Sequence, residues 1–445
     1  MKLIETIKNI WKIEDLRKRL LITFLFVLVY RLGCFIVLPG INPSDLEAMR
    51  RFTDSGLMQL LDMFSGGAFS EASIFALGIM PYITASIVIQ LAGMIVPSFQ
   101  KMQREGESGR MKLNQYTRYL TVLILLVQAP AYLVNLQYQV NSAGGHAQIG
   151  YGMMIFLSLV LTAGAMFIMW LGEKITDKGI GNGISIIILV GIIARFPSAL
   201  ANEFTSRFTT AQGGLVMFLV EIIILFAVTA GAIMLVQGTR KVPVQYAKRI
   251  VGNKQYGGAR QYIPLKVNAA NVMPIIFAQA LMFIPITLAG FGAHNAESGF
   301  LGTISRVFGD MNGFWYNLVY FLMILAFTYF YTAITVRPTQ MAEEMKKNSG
   351  FIPGVKPGKK TADYLDSIMS RITLPGSIFL GIVAILPAFA RYFGVNQQFA
   401  QFFGGTSLLI IVGVVLDTLQ QIETHLMMHH YDGLMKTGKI KGRTR

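Results

Sequence analysis

The sequence predicts an all-α integral membrane protein with ten transmembrane helices. Of its 445 residues, 53% are hydrophobic and 14% are charged, which suits a body embedded in lipid and not a soluble enzyme. A helix needs about 20 apolar residues to cross a bilayer core of about 30 Å. Ten apolar stretches approach this length, and they begin near Leu20, Ser73, Arg118, Tyr151, Ile180, Gly214, Ala270, Phe314, Ile372 and Gly405.

Lys and Arg alternate between the connections as expected for a membrane protein with cytoplasmic loops. Of the 39 basic residues, 32 lie in the two terminal segments and in alternate connections, whereas 6 lie in the opposite connections and Arg31 lies within the first stretch. Because cytoplasmic loops carry the excess of Lys and Arg, both termini are predicted to be cytoplasmic. The net charge of +16 has two interpretations, this ordinary topology or a docking surface for a polyanion.

The first stretch is expected to remain in the mature protein. It is too long for the core of a signal peptide, and no small-residue cleavage site precedes Pro39. Cys34 within it is the single cysteine, so neither an intramolecular disulfide nor a cysteine-built zinc site is possible.

A short apolar segment, residues 56–69, precedes the second stretch and cannot cross the membrane. Its apolar side chains share one helical face and lie at Leu57, Leu60, Leu61 and Phe64. At 1.5 Å per residue, this segment reaches only about 20 Å. Gly66 and Gly67 then break it, and a full-length span is expected from Ser73 to Pro97. Because a half-helix at membrane depth needs surrounding protein or a water-filled cavity, the segment indicates a pore.

Two other features of the spans bear on gating. The fifth span, Ile180 to Phe196, is predicted to be the shortest. Pro81 interrupts the second span, and Pro274 and Pro285 lie in the seventh, where a proline frees a carbonyl and permits a kink. Such kinks fit either a gate or ordinary packing irregularity.

Two cytoplasmic connections are longer than topology requires. Residues 237–268 alternate apolar and polar positions on both sides of Gly257 and Gly258, which predicts a β-hairpin outside the membrane. Residues 337–371 have helical spacing at both ends of a turn rich in Gly and Pro. The length of these loops helps to separate the two interpretations of the basic surplus.

The chain divides into two halves of five spans each. A cut in the outer connection at residues 202–213 gives an N-terminal half, residues 1–200, and a C-terminal half, residues 214–445. Because five is odd, the halves have opposite topology, which permits an inverted repeat. Composition and topology allow this symmetry without proving it.

The sequence lacks the patterns of an enzyme, a metal site or a cofactor site. His425 and His429 are spaced for metal ligation, with His430 beside them, but no HExxH accompanies them, and a solvated helix end is favoured. The GIGNGIS segment at 179–185 lacks nucleotide-loop spacing and a preceding strand. No GxSxG nucleophile motif occurs.

Few ionisable residues lie inside the spans. The main ones are Arg31, Glu221 and Asp417, and sequence spacing pairs none of them. An ion-coupled transporter normally keeps charged groups near the midplane. Their scarcity favours a passive conduit over the alternative, an inverted-repeat secondary transporter of a small solute.

Several long motifs in a fixed order closely resemble the SecY family, the channel subunit of the bacterial Sec protein translocase. They include FSGGAFSEASIFALGIMPYITASIVIQL, EGESGRMKLNQYTRYLT, MFIMWLGEKITDKGIGNGISIII, PLKVNAANVMPIIFA, FIPGVKPGKKTADYLD and FGGTSLLIIVGVVLD. The resemblance covers practically the whole chain. It implies a protein-conducting channel of two inverted halves around an hourglass pore, which passes unfolded secretory polypeptides outward and releases apolar segments into lipid.

The resemblance also assigns roles to residues that composition leaves unmarked. It implies a pore ring of aliphatic side chains at Ile79, Ile83, Ile184, Ile188, Ile276 and Ile410. It implies a plug at Leu60, Leu61, Phe64, Gly66 and Gly67. It implies a lateral gate, between spans two and three and spans seven and eight, with polar residues at Thr84, Ser86, Gln90 and Gln279. Taken alone, an isoleucine in a membrane helix is a packing or lipid-facing residue.

The resemblance implies partners but neither cofactors nor catalytic residues. The small membrane subunits would be SecE and SecG, the energy source would be the SecA motor ATPase or the translating ribosome, and the cargo would be signal sequences and unfolded preproteins. Docking would use Arg240, Lys241, Lys248, Arg249 and Lys356. The family commonly has arginine where this chain has Lys356, and lysine lacks the planar two-pronged donor. The implied location is the inner membrane of a bacterium.

Overall fold

The structure, a computed structural model, is predominantly helical. It describes residues 11, 13–41, 62–142, 150–209, 214–246, 249–251, 254–256, 260–270, 272–279, 281–282 and 313–436. The helices are α1 (Glu14–Gly33), α2 (Met80–Ile95), α3 (Pro97–Arg104), α4 (Glu107–Ser142), α5 (Tyr151–Lys178), α6 (Gly183–Thr209), α7 (Gly214–Gln237), α8 (Phe314–Thr335), α9 (Pro338–Lys347), α10 (Lys359–Tyr392), α11 (Gln397–Ala400) and α12 (Gly405–Lys436).

Seven helical segments in the described part of the chain are long and apolar enough to cross a membrane. They lie in α4, α5, α6, α7, α8 with α9, α10 and α12. Helices α2 and α3 also pass together, with a bend of 101° at the break between them. Of the predicted seventh span, residues 270, 272–279 and 281–282 belong to the described chain, and residues 273–279 and 281–282 are helical. Pro285 lies outside the described residues.

The second span differs from its prediction. The sequence predicts a helix from Ser73, but residues 65–79 form consecutive turns and α2 begins only at Met80. The glycines in these turns and Ala72 have positive φ, which is incompatible with a right-handed helix. Pro81 lies in the first turn of α2, where its missing N–H costs nothing. It therefore starts this helix and does not produce the kink that the sequence suggests.

The fifth span is longer than expected. Helix α6 runs for 27 residues to Thr209, through Pro197 and through much of the predicted outer connection. It begins at Gly183 because residues 179–182 form a loop whose N–H groups bond to side chains, including Gly181 N–H to Gln421 Oε1 at 2.8 Å. The extension is supported by a pairing of Glu203 with Arg207, four residues apart.

The two long connections fold together. The first forms the antiparallel hairpin that the alternation predicts, with β1 (Thr239–Tyr246) paired to β4 (Arg260–Lys266) and an inner pair, β2 (Arg249–Val251) and β3 (Lys254–Tyr256). The second connection contributes α9, the start of α10 and β5 (Gly350–Phe351), which pairs with β1. One core unites them, formed by Val242, Val244, Leu265, Met345, Ile352, Leu365 and Met369.

The chain forms two compact units. One comprises residues 1–199 and 414–445, and the other comprises residues 200–413. In the first unit, a buried cluster packs the turns of residues 65–79 against α4 and α5; its members are Leu38, Phe69, Ala72, Ala76, Ala129, Tyr132, Leu133, Leu136, Val140, Leu157 and Leu161. Phe69 contacts Tyr132 edge to face, with ring centroids 4.9 Å apart.

Candidate pore and plug site

The described part of the predicted plug, residues 62–69, forms a compact turn structure together with Ser70, and we call residues 62–70 the plug segment. All its residues are buried, and only residues 62–64 are helical. The hydroxyl of Ser65 donates to the Asp62 carbonyl at 3.0 Å and accepts the Phe69 N–H at 3.0 Å. Gly67 N–H donates to the same Asp62 carbonyl at 2.9 Å. These bonds replace those of a helix, so the turns are a defined structure. Leu60 and Leu61 lie outside the described residues.

Helix α1 holds the plug segment through main-chain acceptors. Tyr30 Oη donates to the Ser65 carbonyl at 3.1 Å, and Arg31 Nη1 donates to the Gly66 carbonyl at 2.6 Å. Cys34 is buried next to them, with its sulfur 3.9 Å from the Ser65 carbonyl oxygen. Arg31, for which sequence spacing predicts no partner, therefore binds the backbone of the plug segment.

Helix α6 holds the plug segment through an ion pair. Arg195 pairs with Asp62 Oδ2, and its Nη2 also donates to the Ser70 hydroxyl at 2.7 Å. The other Asp62 oxygen, Oδ1, accepts the Ser70 N–H at 2.8 Å. Both carboxylate oxygens of this nearly buried side chain are thus occupied.

The glycines of the plug segment allow close approach to α6. Gly66 has a φ of +66°, and a Cβ there would lie 2.9 Å from the Gly191 Cα. Gly67 has a φ of +94°, and a Cβ there would lie 3.1 Å from the Arg195 guanidinium. Both positions therefore need glycine for backbone conformation and for space.

The first unit brings two pairs of the predicted pore ring next to the plug segment. Ile79 caps α2 and is buried, and Ile83 donates its N–H to the Ile79 carbonyl at 3.1 Å, one turn away. Gly78 lies against Ser65, because a Cβ added to Gly78 would be 3.4 Å from the Ser65 Cβ. The plug segment therefore touches the residue directly before the first isoleucine pair.

The second pair lies on α6. Ile184 and Ile188 are one turn apart, and Gly191 and Arg195 continue the same helical face at spacings of three and four residues. Ile188 is buried and Ile184 is half-buried. Gly191 and Arg195 contact the plug segment. One face of α6 therefore has the two isoleucines near its N-terminus and the residues that contact the plug segment after them.

The second unit holds the other two isoleucines on adjoining elements. Ile276 donates its N–H to the Val272 carbonyl at 3.3 Å, and Ile410 lies one turn before Gly413. A Cβ at Gly413 would be 3.1 Å from the Val272 Cγ2. The helical faces that carry Ile276 and Ile410 therefore meet within this unit.

The lateral-gate residues make local hydrogen bonds. Thr84 Oγ1 donates to the Met80 carbonyl at 3.1 Å, and Gln90 Nε2 donates to Ser86 Oγ at 3.3 Å, both within α2. Gln279 is half-buried in the helical segment 273–279. Ser86 and Gln90 therefore share one face of α2, whereas Thr84 lies on a different face.

The predicted docking residues lie on the two long connections, which fold together. Arg240 and Lys241 are exposed on β1, opposite Leu265 and Pro264 of β4. Lys356 is exposed, and its carbonyl accepts a bond from Thr361 Oγ1 at 2.9 Å. Lys248 and the side chain of Arg249 lie outside the described residues.

Comparison with known proteins places this geometry in a family. The SecY family profile matches residues 73–419. A protein translocase subunit SecY of Halalkalibacterium halodurans is 45% identical over 442 residues, covering 97% of this chain and 99% of the relative. One of Streptomyces galbus is 42% identical over 435 residues, covering 96% and 98% respectively. The chain belongs to the SecY family. Its function is that of a protein-translocation channel in a multi-pass membrane protein.

Solved structures of the SecY/Sec61 type share the fold. A SecY channel structure concerned with the plug domain aligns with a TM-score of 0.61 at 18% identity, covering 92% of each chain. Sec61 in a canine ribosome–channel complex aligns with a TM-score of 0.57 at 18% identity, also covering 92% of each chain. The ten-helix channel fold predicted from the sequence is confirmed.

The structure shows the surroundings of Glu221 and Asp417, two charged residues that sequence spacing does not pair with a partner. Glu221 of α7 is buried and pairs with Arg207 of α6, a partner that sequence spacing does not indicate. Arg207 also pairs with Glu203 at 2.8 Å and donates to the Gly394 carbonyl at 3.0 Å. Sequence spacing misses the Glu221 pair because its partner lies on the preceding helix.

Asp417, another ionisable residue inside the predicted spans, lines an open cavity of about 390 Å³. Gln420, Gln421, Thr424 and His425 line the same cavity. Among the described residues, no group of three or more His, Cys, Asp or Glu side chains is placed to hold a metal ion. The side chains of His429 and His430 lie outside that part of the chain.

Tyr30, Asp62, Ser70, Tyr132 and Arg195 are the site residues that the sequence did not identify. Tyr132 Oη donates to the Phe69 carbonyl at 2.9 Å and completes the hold on the plug segment. One signal could have identified Arg195: it continues the helical face of Ile184 and Ile188, where an apolar residue is expected. The partners of the others are distant in sequence and gave no such signal.

Proposed function

We propose that the chain forms the pore of a bacterial protein translocase, passes unfolded secretory polypeptides outward, and releases apolar segments sideways into lipid. The observation that carries this proposal is the contact of the plug segment with both isoleucine-bearing elements of the first unit, through Gly78 and Gly191. A sealed polypeptide channel needs such an arrangement, in which the plug segment lies next to the two isoleucine pairs.

The six isoleucines would close the middle of the pore. Branched apolar side chains offer no hydrogen bonds to water or ions, so a narrow constriction built from them dewets. The same side chains surround an extended polypeptide without preference for its sequence. Two pairs from the first unit and Ile276 with Ile410 from the second would complete this ring between the inverted halves, residues 1–200 and 214–445.

A signal sequence would open the lateral gate by shifting a conformational equilibrium. Polar residues at the gate, Thr84, Ser86, Gln90 and Gln279, would contribute bonds of about 0.6–2 kcal/mol each in the closed state. A signal helix buries its apolar surface only in the open state, which is the condition for a ligand to shift the population. The plug segment would leave the pore in the same transition.

Partners would supply energy and assembly. SecE and SecG would be the small membrane subunits, and ATP hydrolysis by SecA or synthesis by the ribosome would drive the polypeptide. The two cytoplasmic loops share one core, and this folded body would carry the docking residues Arg240, Lys241, Lys248, Arg249 and Lys356. Both termini would be cytoplasmic in the inner membrane, as the distribution of Lys and Arg indicates.

The proposal is tested by photocrosslinking a stalled secretory chain. Photoreactive residues at Ile83, Ile188 and Ile410 are expected to crosslink to the translocating polypeptide. A matched probe at Phe226, which is 71% exposed on α7, is expected to crosslink to lipid only. Absence of polypeptide crosslinks at all three isoleucine positions would contradict the proposed path.

A further inference from the structure

We propose that Arg195 and Asp62 form a latch that sets how effective a signal sequence must be to displace the plug segment. The latch consists of the ion pair between these two side chains and the Arg195 bond to the Ser70 hydroxyl at 2.7 Å. The inference rests on the proposed function, because it concerns the opening of the same channel. It assigns a role to residues that the pore ring, the lateral gate and the docking loops do not use.

The latch joins two ends of one folded turn to a single guanidinium. Asp62 and Ser70 lie eight residues apart, and the turn between them is already closed because Ser70 N–H donates to Asp62 Oδ1 at 2.8 Å. Arg195 contacts both. Its guanidinium also lies over Gly67, where a Cβ would be only 3.1 Å from Arg195 Nε. Arg195 therefore binds the folded segment as a unit.

The ion pair between Asp62 and Arg195 stabilises only the closed state, in which the plug segment lies against α6. Asp62 is 6% exposed and has both oxygens in hydrogen bonds. A buried carboxylate without its charged partner retains its desolvation cost without compensation. The latch exists only when the plug segment lies against α6, so its removal shifts the equilibrium towards the displaced state.

Helix α6 connects the latch to the pore ring. Ile184, Ile188, Gly191 and Arg195 follow one another on a single helical face. A polypeptide that pushes the isoleucines apart would therefore also move Arg195 relative to Asp62. Opening of the constriction and release of the plug segment would be coupled through one rigid element. By contrast, α1 holds the segment through main-chain carbonyls, which a substitution at Asp62 leaves in place.

The native Cys34 provides a direct assay. It is the single cysteine of the chain, only 2% of it is exposed, and its sulfur lies 3.9 Å from the Ser65 carbonyl oxygen. A soluble maleimide should therefore label it when the plug segment moves away. In native membranes, Arg195→Gln and Asp62→Asn are each expected to raise the labelling rate about tenfold or more, since each removes a charge-assisted bond. Export of a precursor with a defective signal sequence should rise in parallel.

A double-mutant cycle tests whether the two residues act as one unit. The variant that combines Arg195→Gln with Asp62→Asn should label no faster than the faster of the two single variants, because the second change removes no further latch. The matched control is Arg118→Gln, which breaks a similar pair of α4 with Glu173 of α5. It should leave the labelling rate of Cys34 unchanged.

The outcomes are decisive. Additive effects of the two substitutions, unchanged labelling in both, or an equal increase in the Arg118→Gln control would overturn the latch. If Arg195→Gln does not accumulate in the membrane, Arg195→Lys should label at an intermediate rate, and a native rate would overturn the proposal. Crosslinks of a stalled chain at Ile188 test the channel path separately, so failure of the latch and failure of the proposed function are distinguishable.

Discussion

Gly66 is the residue at which the plug segment turns towards α6. Its left-handed backbone would cost an alanine about 1–2 kcal/mol, and its Cβ would lie 2.9 Å from the Gly191 main chain. We predict that Gly66→Ala lowers the thermal unfolding temperature in detergent and speeds maleimide labelling of Cys34. The matched control is Gly106→Ala, because Gly106 has a φ of +77° and nothing within 4 Å of an added Cβ. Equal destabilisation of the two variants would refute the role of the close approach to Gly191.

The buried charges of α6 and α7 give a second prediction at this scale. Arg207 forms ion pairs with both Glu203 and Glu221. Arg207→Met would leave two buried carboxylates unpaired, and it should lower the free energy of unfolding by about 3–5 kcal/mol. Glu221→Gln should cost less, because Glu203 keeps Arg207 and also the Asn396 N–H at 2.8 Å. Thermal unfolding of the purified variants measures both effects, and a larger destabilisation in Glu221→Gln would contradict this ranking.

These residues show what sequence spacing can and cannot predict. The i, i+4 rows of isoleucines are visible in the sequence because helical periodicity is local. The partners of Arg31 and Arg195 are not, because they lie in a turn far away along the chain. Only the packing of α1 and α6 around the plug segment brings these groups together.

At the scale of elements, the two long connections, residues 237–268 and 337–371, share one hydrophobic core. Ile352 of the second loop is 2% exposed in the core shared with Val244 and Leu265 of the hairpin. Ile352→Ala should cost about 2–5 kcal/mol. We therefore predict faster tryptic cleavage within residues 239–266, although the substitution lies in the other loop. Tyr262→Ala, at a position 58% exposed on β4, should cleave at the native rate. Cleavage confined to residues 350–360 in Ile352→Ala would show that the loops are independent.

The elements differ in how far the sequence determines them. The hairpin was predictable because alternation is a local signal. Its centre was misplaced, since Gly257 and Gly258 lie between β3 and β4, whereas residues 252–253 join the paired strands β2 and β3. The pairing of β5 with β1 was not, since a strand of two residues has no pattern of its own. The start of α2 was misplaced because residues 65–79 are apolar enough for a helix, whereas positive φ at Gly66, Gly67 and Gly78 excludes one.

At the scale of the whole molecule, composition and charge carry most of the prediction. Hydropathy identifies the spans because the bilayer demands continuous apolar helices. The predicted topology follows from the placement of 39 Lys and Arg residues. The pore lies beyond this reasoning, since an isoleucine that lines a channel and one that faces lipid have the same local pattern.

The net charge of +16 gives the last prediction, which concerns docking of the whole molecule to purified ribosomes. Binding to RNA phosphates releases counterions. The logarithm of the binding constant should therefore fall linearly with the logarithm of the salt concentration. Combining Arg240→Ala with Lys241→Ala should reduce the slope by about 0.7–0.9 for each phosphate that the variant no longer neutralises. Lys101→Ala, an exposed charge in a different connection, should leave the slope unchanged. An equal reduction by Lys101→Ala would mean that overall charge, and not the folded loop surface, attracts the ribosome.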